Sequence, residues 1–310
     1  MSTAVIEAEG LKRSFGDTLA VDDLSLLVAP GEIYGLVGPD GAGKTTTIRL
    51  LTGLMKPDAG SVRLLGMDPL SDTDAVRETL GYMPQRYSLY GDLTVDENLT
   101  FFRELFCLDK AAFKKRRERL LALTRLEPFG DRRADALSGG MYKKLALACA
   151  LLHEPKVLLL DEPTNGVDPV SRREFWDLLS DFLKEGVAII LATPYMDEAA
   201  RCHRAGLLYE GRLLEEGAPR ALLERFPHKA FEVKGDRKRV SDSIESDDDI
   251  LAFTPAGALL RIVVRRGAES RIAAVLEKKG AALVPIAPTF EDLFLARVRE
   301  HRRTAKMADA

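Results

Sequence analysis

The sequence predicts an α/β protein with a mainly parallel sheet core. An antiparallel N-terminal β region, a helical insertion and a small C-terminal α+β domain complete it. Three observations carry this reading. Short apolar runs of strand length at 33–37, 157–160 and 187–192 alternate with segments of helical period, as a parallel sheet with crossover helices requires. The breakers Gly16-Asp17 and Pro30-Gly31 cut the first 37 residues into short strands. From about 89 to 148 the pattern turns helical, with apolar residues recurring on one face at 95–108 and 111–126.

The remaining elements follow in order. A helix is expected at 44–54, closed by Lys56-Pro57-Asp58, and a strand at 61–65. The basic run 114–117 lies on a helix and reads as a solvated face. Strand–helix alternation returns at 157–161, 171–185, 187–192 and 196–204, followed by a hairpin about Glu210-Gly211. A break near Phe226-Pro227-His228 ends a first domain at 1–226, with its helical subdomain at about 88–148. A small α+β domain is expected at 229–300, with two or three strands, one helix at 269–279 and an exposed acidic loop at 245–249. Residues 301–310 read as a flexible polar tail.

Composition narrows the function classes. The 310 residues are 46% hydrophobic and 30% charged, with a net charge of −3, so no overall field draws the chain to nucleic acid or an anionic membrane. No apolar run approaches the roughly 20 residues of a spanning helix. The first residues lack the pattern of a signal peptide, so a cytosolic chain, or one held at a membrane by another protein, is expected. Cys107, Cys149 and Cys202 lack metal-ligand spacing and read as reduced packing residues.

The chemistry begins at Gly38-Pro39-Asp40-Gly41-Ala42-Gly43-Lys44-Thr45-Thr46, between a strand and a helix. That strand–loop–helix context is what a P-loop needs. Glycines let backbone N–H groups turn toward phosphate, the helix N-terminus adds partial positive charge, Lys44 reaches the β- and γ-phosphates, and the Thr45 hydroxyl serves Mg²⁺. A second element is the apolar strand ending in Asp161-Glu162. Beside a P-loop, Asp161 can hold Mg²⁺ and Glu162 can polarise water as a general base. The plainer reading is a strand-end acid capping Pro163-Thr164.

With these residues in place, the sequence resembles an ABC transporter ATPase subunit over roughly 4–225. The piece that carries the resemblance is Leu137-Ser138-Gly139-Gly140-Met141, similar to the signature motif that other P-loop ATPases lack. The resemblance implies that Ser138, Gly139 and Gly140 form a second anion nest, which closes on ATP held by a second ATPase domain. It also implies that Gln85 touches Mg²⁺ and relays to a membrane partner, that Asp168 belongs to the D-loop, and that Phe15 stacks on adenine. For Phe15 the residues alone would favour a strand residue in the core. Pro288-Thr-Phe-Glu-Asp-Leu-Phe-Leu resembles the C-terminal piece of ABC-2-type export ATPases. The implied function is an ATP- and Mg²⁺-dependent subunit powering an ABC-2-type permease at the cytoplasmic face of the membrane, with no nucleic-acid partner. Residues 86–90 are the candidate contact for that permease, or else a solvent loop. The competing classes are a soluble ABC protein acting on ribosomes or DNA, and an import ATPase.

The sequence departs from the family at three positions. Asp40 stands where Asn is usual, and Lys143 where Gln often follows the signature. Pro194 occupies the position of the switch histidine. Proline offers neither a side-chain donor nor a backbone N–H, so the site on this chain's own P-loop is expected to hydrolyse slowly. His203 lies nine residues further on and is not expected to replace it. Two arrangements follow: an asymmetric pair with a different ATPase chain, in which this chain resembles the first half of tandem export ATPases, or a slow homodimer.

Overall fold

The computed structural model describes residues 4–308, apart from 87, 88, 237, 238, 241–243, 245 and 258. Tyr87 and Ser88 of the expected permease contact, Glu245 of the acidic stretch and the last two residues of the expected tail lie outside the described residues. The architecture is α/β. A six-stranded sheet runs β5–β6–β7–β3–β8–β9, formed by Leu80–Met83, Val157–Asp161, Ala188–Thr193, Ile33–Val37, Arg204–Tyr209 and Arg212–Gly217. The first five strands are mutually parallel, and β9 returns antiparallel to β8. Strands β3, β6 and β7 are buried at every residue, which explains their unbroken apolar sequences.

Strands β1 (Ile6–Phe15), β2 (Thr18–Val28) and β4 (Ala59–Leu64) form a separate antiparallel sheet in the order β2–β1–β4. The helical insertion comprises α3 (Val95–Leu105), α4 (Lys110–Thr124) and α5 (Gly139–Leu151). Helix α3 begins at a capping box, in which Thr94 and Glu97 satisfy each other's backbone N–H groups. The basic run on α4 is only partly a solvated face. Arg116 pairs with Glu154, and Arg117 holds Asp96 at the start of α3. Cys149 and Cys202 are buried as expected, whereas Cys107 is exposed, at a positive φ just beyond α3.

The C-terminal part departs from expectation in three ways. It has four strands rather than two or three: β10 (Lys229–Lys234), β11 (Ile250–Ala256), β12 (Leu259–Val264) and β13 (Ala282–Ile286), in the antiparallel order β11–β12–β10–β13. The acidic stretch is not simply solvated, since Asp247 and Asp249 both pair with Arg271. Residues 301–308, read as a flexible tail, continue the last helix, α10 (Phe290–Ala308), with α9 (Glu269–Glu277) preceding it. The helix persists because its polar residues have partners: Arg297 binds Glu215 of β9 at 2.6 Å, and Arg302 donates to the Tyr209 hydroxyl at 2.6 Å. Beneath them, Phe290, Leu293 and Phe294 share one apolar core with Val37 and Leu207 of the large sheet. The two parts are thus welded by packing as well as by ion pairs.

Candidate functional site

The phosphate loop joins β3 to α1 (Lys44–Leu51), at the carboxyl end of the sheet where ligands of parallel α/β folds bind. Gly43 has φ +105°, and a Cβ there would overlap the Ala20 carbonyl oxygen, so only glycine fits. Lys44 is 4% exposed. Its ammonium donates to the carbonyls of Gly38 at 2.9 Å and Pro39 at 3.0 Å and lies 3.3 Å from Glu162 Oε1.

Strand β6 delivers the two acids. Asp161 is 1% exposed and accepts the Thr45 hydroxyl on Oδ1 at 3.1 Å. Its other oxygen, Oδ2, is buried without a hydrogen-bond partner. Burial pushes the Asp161 carboxyl above its usual range, against the opposing pull of the Thr45 hydroxyl. Glu162 sits at φ +48°, a strained conformation for a residue with a side chain, and its N–H bonds to the Ala192 carbonyl of β7 at 2.9 Å. Its Oε2 accepts from Gln85 Nε2 at 2.7 Å and from Asn165 Nδ2 at 3.1 Å.

A cavity of about 310 Å³ opens here, lined by Ala20, Asp40, Gly41, Gly43, Lys44, Thr45, Thr46, Gln85 and Glu162. The predicted P-loop, Gln85 and Glu162 are therefore brought together, and Asp161 lies directly behind Thr45. Phe15 does not line this cavity. It is 45% exposed at the end of β1, with the Arg13 guanidinium 5.1 Å from its ring centre. Ser138, Gly139 and Gly140 are also elsewhere. Ser138 caps α5 by accepting the Met141 N–H, and a Cβ on Gly140 would strike Ser171 of α6 (Pro169–Lys184). Asp168 caps α6, accepting the N–H groups of Val170 and Ser171 at 3.0 Å. These bonds with Ser171 and Val170 hold its carboxyl below the usual range.

The departures have defined places. Lys143 reaches across from α5 to the Gln85 carbonyl at 3.2 Å, and burial pulls its ammonium below the usual lysine range. Pro194 directly follows Thr193, whose carbonyl accepts the Gly38 N–H at 3.2 Å. His203 accepts the Ile33 N–H at 3.1 Å, at the opposite end of β3 from the phosphate loop, so it does not approach the site.

Sequence reasoning missed three participants. Ala20 contributes from β2, which no linear pattern announces. Asn165 ties Glu162 to the loop after β7, because its Oδ1 accepts the Tyr195 hydroxyl at 3.3 Å. Glu198 is fully buried and joins Thr164 and Thr193, fixing the turn after β6 to the end of β7.

Comparisons with known proteins give the chain's family. The family model described as ABC transporter matches residues 21–165. The chain is similar to the probable multidrug ABC transporter ATP-binding protein YbhF of Escherichia coli (strain K12), 48% identical over 233 residues. That match takes in 74% of this chain but only 40% of the relative, so the chain spans well under half of that protein's length. It is also similar to the Nod factor export ATP-binding protein I of Paraburkholderia xenovorans (strain LB400), 46% identical over 72% of this chain and 74% of the relative. Among solved structures, an ATP-binding subunit of an ABC transporter matches with a TM-score of 0.66 and 29% identity, over 72% of this chain and 93% of that one. The dimeric bacterial ABC transporter cassette MJ0796 matches with a TM-score of 0.62 and 25% identity, over 69% of this chain and 98% of that one. With 46% identity over 74% of an export ATP-binding relative and the family model matching residues 21–165, the chain belongs to the ABC transporter family, among its ATP-binding proteins.

Proposed function

We propose that the chain is the ATP-binding and ATP-hydrolysing subunit of an ABC-2-type exporter. A separate permease holds it at the cytoplasmic face of the membrane, and it works in a pair of ATPase domains. The observation that carries the nucleotide-binding part of this reading is the unpartnered, buried Oδ2 of Asp161 beside the Thr45 hydroxyl. A buried carboxylate oxygen without a donor is costly, and a divalent cation there removes that cost. The oxygen donors fit Mg²⁺, a hard cation that takes few protein ligands and completes its shell with phosphate and water.

On this reading the residues divide the work. In the loop Gly38–Thr46, which includes Pro39 and Ala42, the N–H groups of Asp40, Gly41 and Gly43 to Thr46 face the phosphates. Lys44 gives up its carbonyl partners for the β- and γ-phosphates. Thr45, Gln85 and Asp161 would hold Mg²⁺, which would supply charge neutralisation when bound. Glu162 accepts a proton from the attacking water. Phe15 stacks on adenine, exposed where a base can reach it. Ser138, Gly139 and Gly140, with Asp168 behind them, serve the nucleotide of the second ATPase domain. The names of the export relatives support the transport role, and the dimeric cassette supports the pairing.

Pro194 adds a second level. Without a donor at that position, Glu162 lacks the usual help in orienting water, and the chain's own site holds ATP longer than it cleaves it. The faster site of an asymmetric pair is then completed by Ser138, Gly139 and Gly140 on a different ATPase chain. The test is the steady-state ATPase rate of the purified chain, with and without Pro194→His. A low rate that the substitution raises is the expected result. Brisk hydrolysis that the substitution leaves unchanged would overturn the asymmetric reading. Co-purification with a membrane permease tests the transport role separately.

A further inference from the structure

Between β11, α10 and the tip of the β8–β9 hairpin lies a second cavity, of about 660 Å³, which shares no lining residue with the phosphate loop's own cavity. That volume falls in the range of small-molecule sites. Its apolar floor is made by Leu251 and Ala252 of β11 with Leu295 and Val298 of α10, and the half-exposed ring of Phe253 forms a lip. One turn further along α10, Arg299, Arg302 and Arg303 face the same space. The cavity therefore has an apolar end and a cationic end.

The arginines are short of counter-charge. Elsewhere in this part of the protein, Arg261, Arg271 and Arg297 each pair with a carboxylate, and Arg265, at the same cavity, pairs with Asp249 at 3.2 Å. Arg299 donates to the Asp247 carbonyl at 3.1 Å, with the Asp247 carboxylate nearby already held by Arg271, and Arg302 donates to the Tyr209 hydroxyl, which Glu210 also engages. Among the described residues Arg303 has no hydrogen bond or ion pair. Glu210 and Asp248 also line the cavity, and among the described residues neither forms an ion pair with these three arginines. Arg302 and Arg303 each lie one helical turn beyond Arg299, and like charges at this spacing repel. An anion between them would remove that repulsion, and the apolar floor would bury an attached hydrocarbon body.

The cavity wall also leads to the nucleotide. Arg302 holds Tyr209, the last residue of β8. Two residues later the Gly211 N–H donates to the Ala42 carbonyl of the phosphate loop at 3.0 Å. A ligand that draws Arg302 toward itself loosens this contact.

We propose that this cavity binds a small amphipathic anion, with an apolar body and one carboxylate or phosphate head, and that its occupancy is transmitted to the phosphate loop through Tyr209–Gly211. The binding claim is independent of the transport function. The test is calorimetric titration of the full chain with decanoate and with decyl phosphate below their micelle concentrations. Inorganic phosphate and an uncharged alkyl glucoside serve as comparators. Saturable one-site binding of an anionic amphiphile is expected, and the preferred head group identifies the ligand's source. Arg303→Glu, at a partnerless surface position, is expected to keep the melting temperature and to weaken binding about tenfold or more, and Arg299→Ala similarly. The dissociation constant of a non-hydrolysable ATP analogue is expected to change when the cavity is filled, and not to change in Tyr209→Phe. No saturable binding, equal binding of the glucoside, or unaltered affinity in Arg303→Glu would overturn the site. An analogue affinity indifferent to the ligand would overturn the transmission.

Discussion

The side-chain amide of Gln85 donates to the Glu162 carboxylate at 2.7 Å, joining the end of β5 to the end of β6 across 77 positions of sequence. Lys44 and Asn165 reach the same carboxylate, so three donors hold it in this arrangement. Both oxygens of the carboxylate are thus already engaged by protein donors. Engagement of Lys44 and Gln85 by MgATP would free it, making Glu162 available only when substrate is present. Glu162→Gln is accordingly expected to lower the ATPase rate by about 100-fold or more, the scale of a lost general base. Affinity for MgATP is expected to stay within a few-fold. Parallel turnover and nucleotide-binding measurements check both.

The third donor survives that release. Asn165 keeps its place because the Tyr195 hydroxyl holds its Oδ1, while Arg172 lies 4.4 Å from the centre of the Tyr195 ring. On the proposed role of Glu162, Tyr195 would act as a positioning residue, directly after Pro194. Tyr195→Phe keeps the ring and its cation contact but loses the tether. A drop of about fivefold in kcat with little change in KM is expected, matching one neutral hydrogen bond. Asn165→Ala removes a bond to a charged group and is expected to cost about tenfold or more. A rise in KM with constant kcat would mean that the pair acts on binding instead.

The linear signals were strong where one short segment does the whole job. The phosphate loop is such a segment, and so are β3, β6 and β7, which are apolar because both faces of the sheet are covered. The signals failed where partners are distant. Nothing near Gln85 announces Glu162, and Ala20 enters the cavity only because the β1–β2 sheet folds over the loop. Residues 301–308 read as a tail because their polar side chains look solvated. Arg302 instead finds Tyr209, 93 positions earlier. Asn165 was within reach of reasoning, since it lies three residues beyond Glu162 in a turn, where an amide can fold back.

His153 makes the chain acid-sensitive at a distance from the site. Its ring stacks on Phe106 with centres 3.8 Å apart, and Nε2–H donates to the Leu80 carbonyl at 3.1 Å, beside the start of β5. Nδ1 is buried without a partner. Burial brings the imidazole down from 6.5 to about 4. The unfolded chain therefore takes up a proton at a pH where the folded one refuses it. Stability is expected to fall as pH drops from 6.5 toward about 4. The loss reaches at most about 3 kcal/mol and then levels off. His153→Gln, which keeps a donor but does not titrate, is expected to flatten that part of the profile in denaturant titrations.

The shared core of the large sheet and α10 makes a claim about cooperativity. Leu293 is fully buried in a cluster that holds Val37 of β3 and Leu207 of β8 along with Phe294 and Val263. Truncating it opens a cavity in the core that includes Val37 of the strand carrying the phosphate loop. Leu293→Ala is expected to cost about 2–5 kcal/mol, the range for a large aliphatic side chain removed from a core. If the two parts unfold together, the whole chain melts earlier in one transition, and affinity for ATP falls only where unfolding begins. If the C-terminal sheet unfolds alone, calorimetry shows an early partial transition, and the phosphate loop retains its ligand above it. The ion pair of Arg297 with Glu215 is partly exposed, so Arg297→Ala is expected to cost less than Leu293→Ala. A larger effect from Arg297→Ala would mean that charge, not packing, joins the two parts.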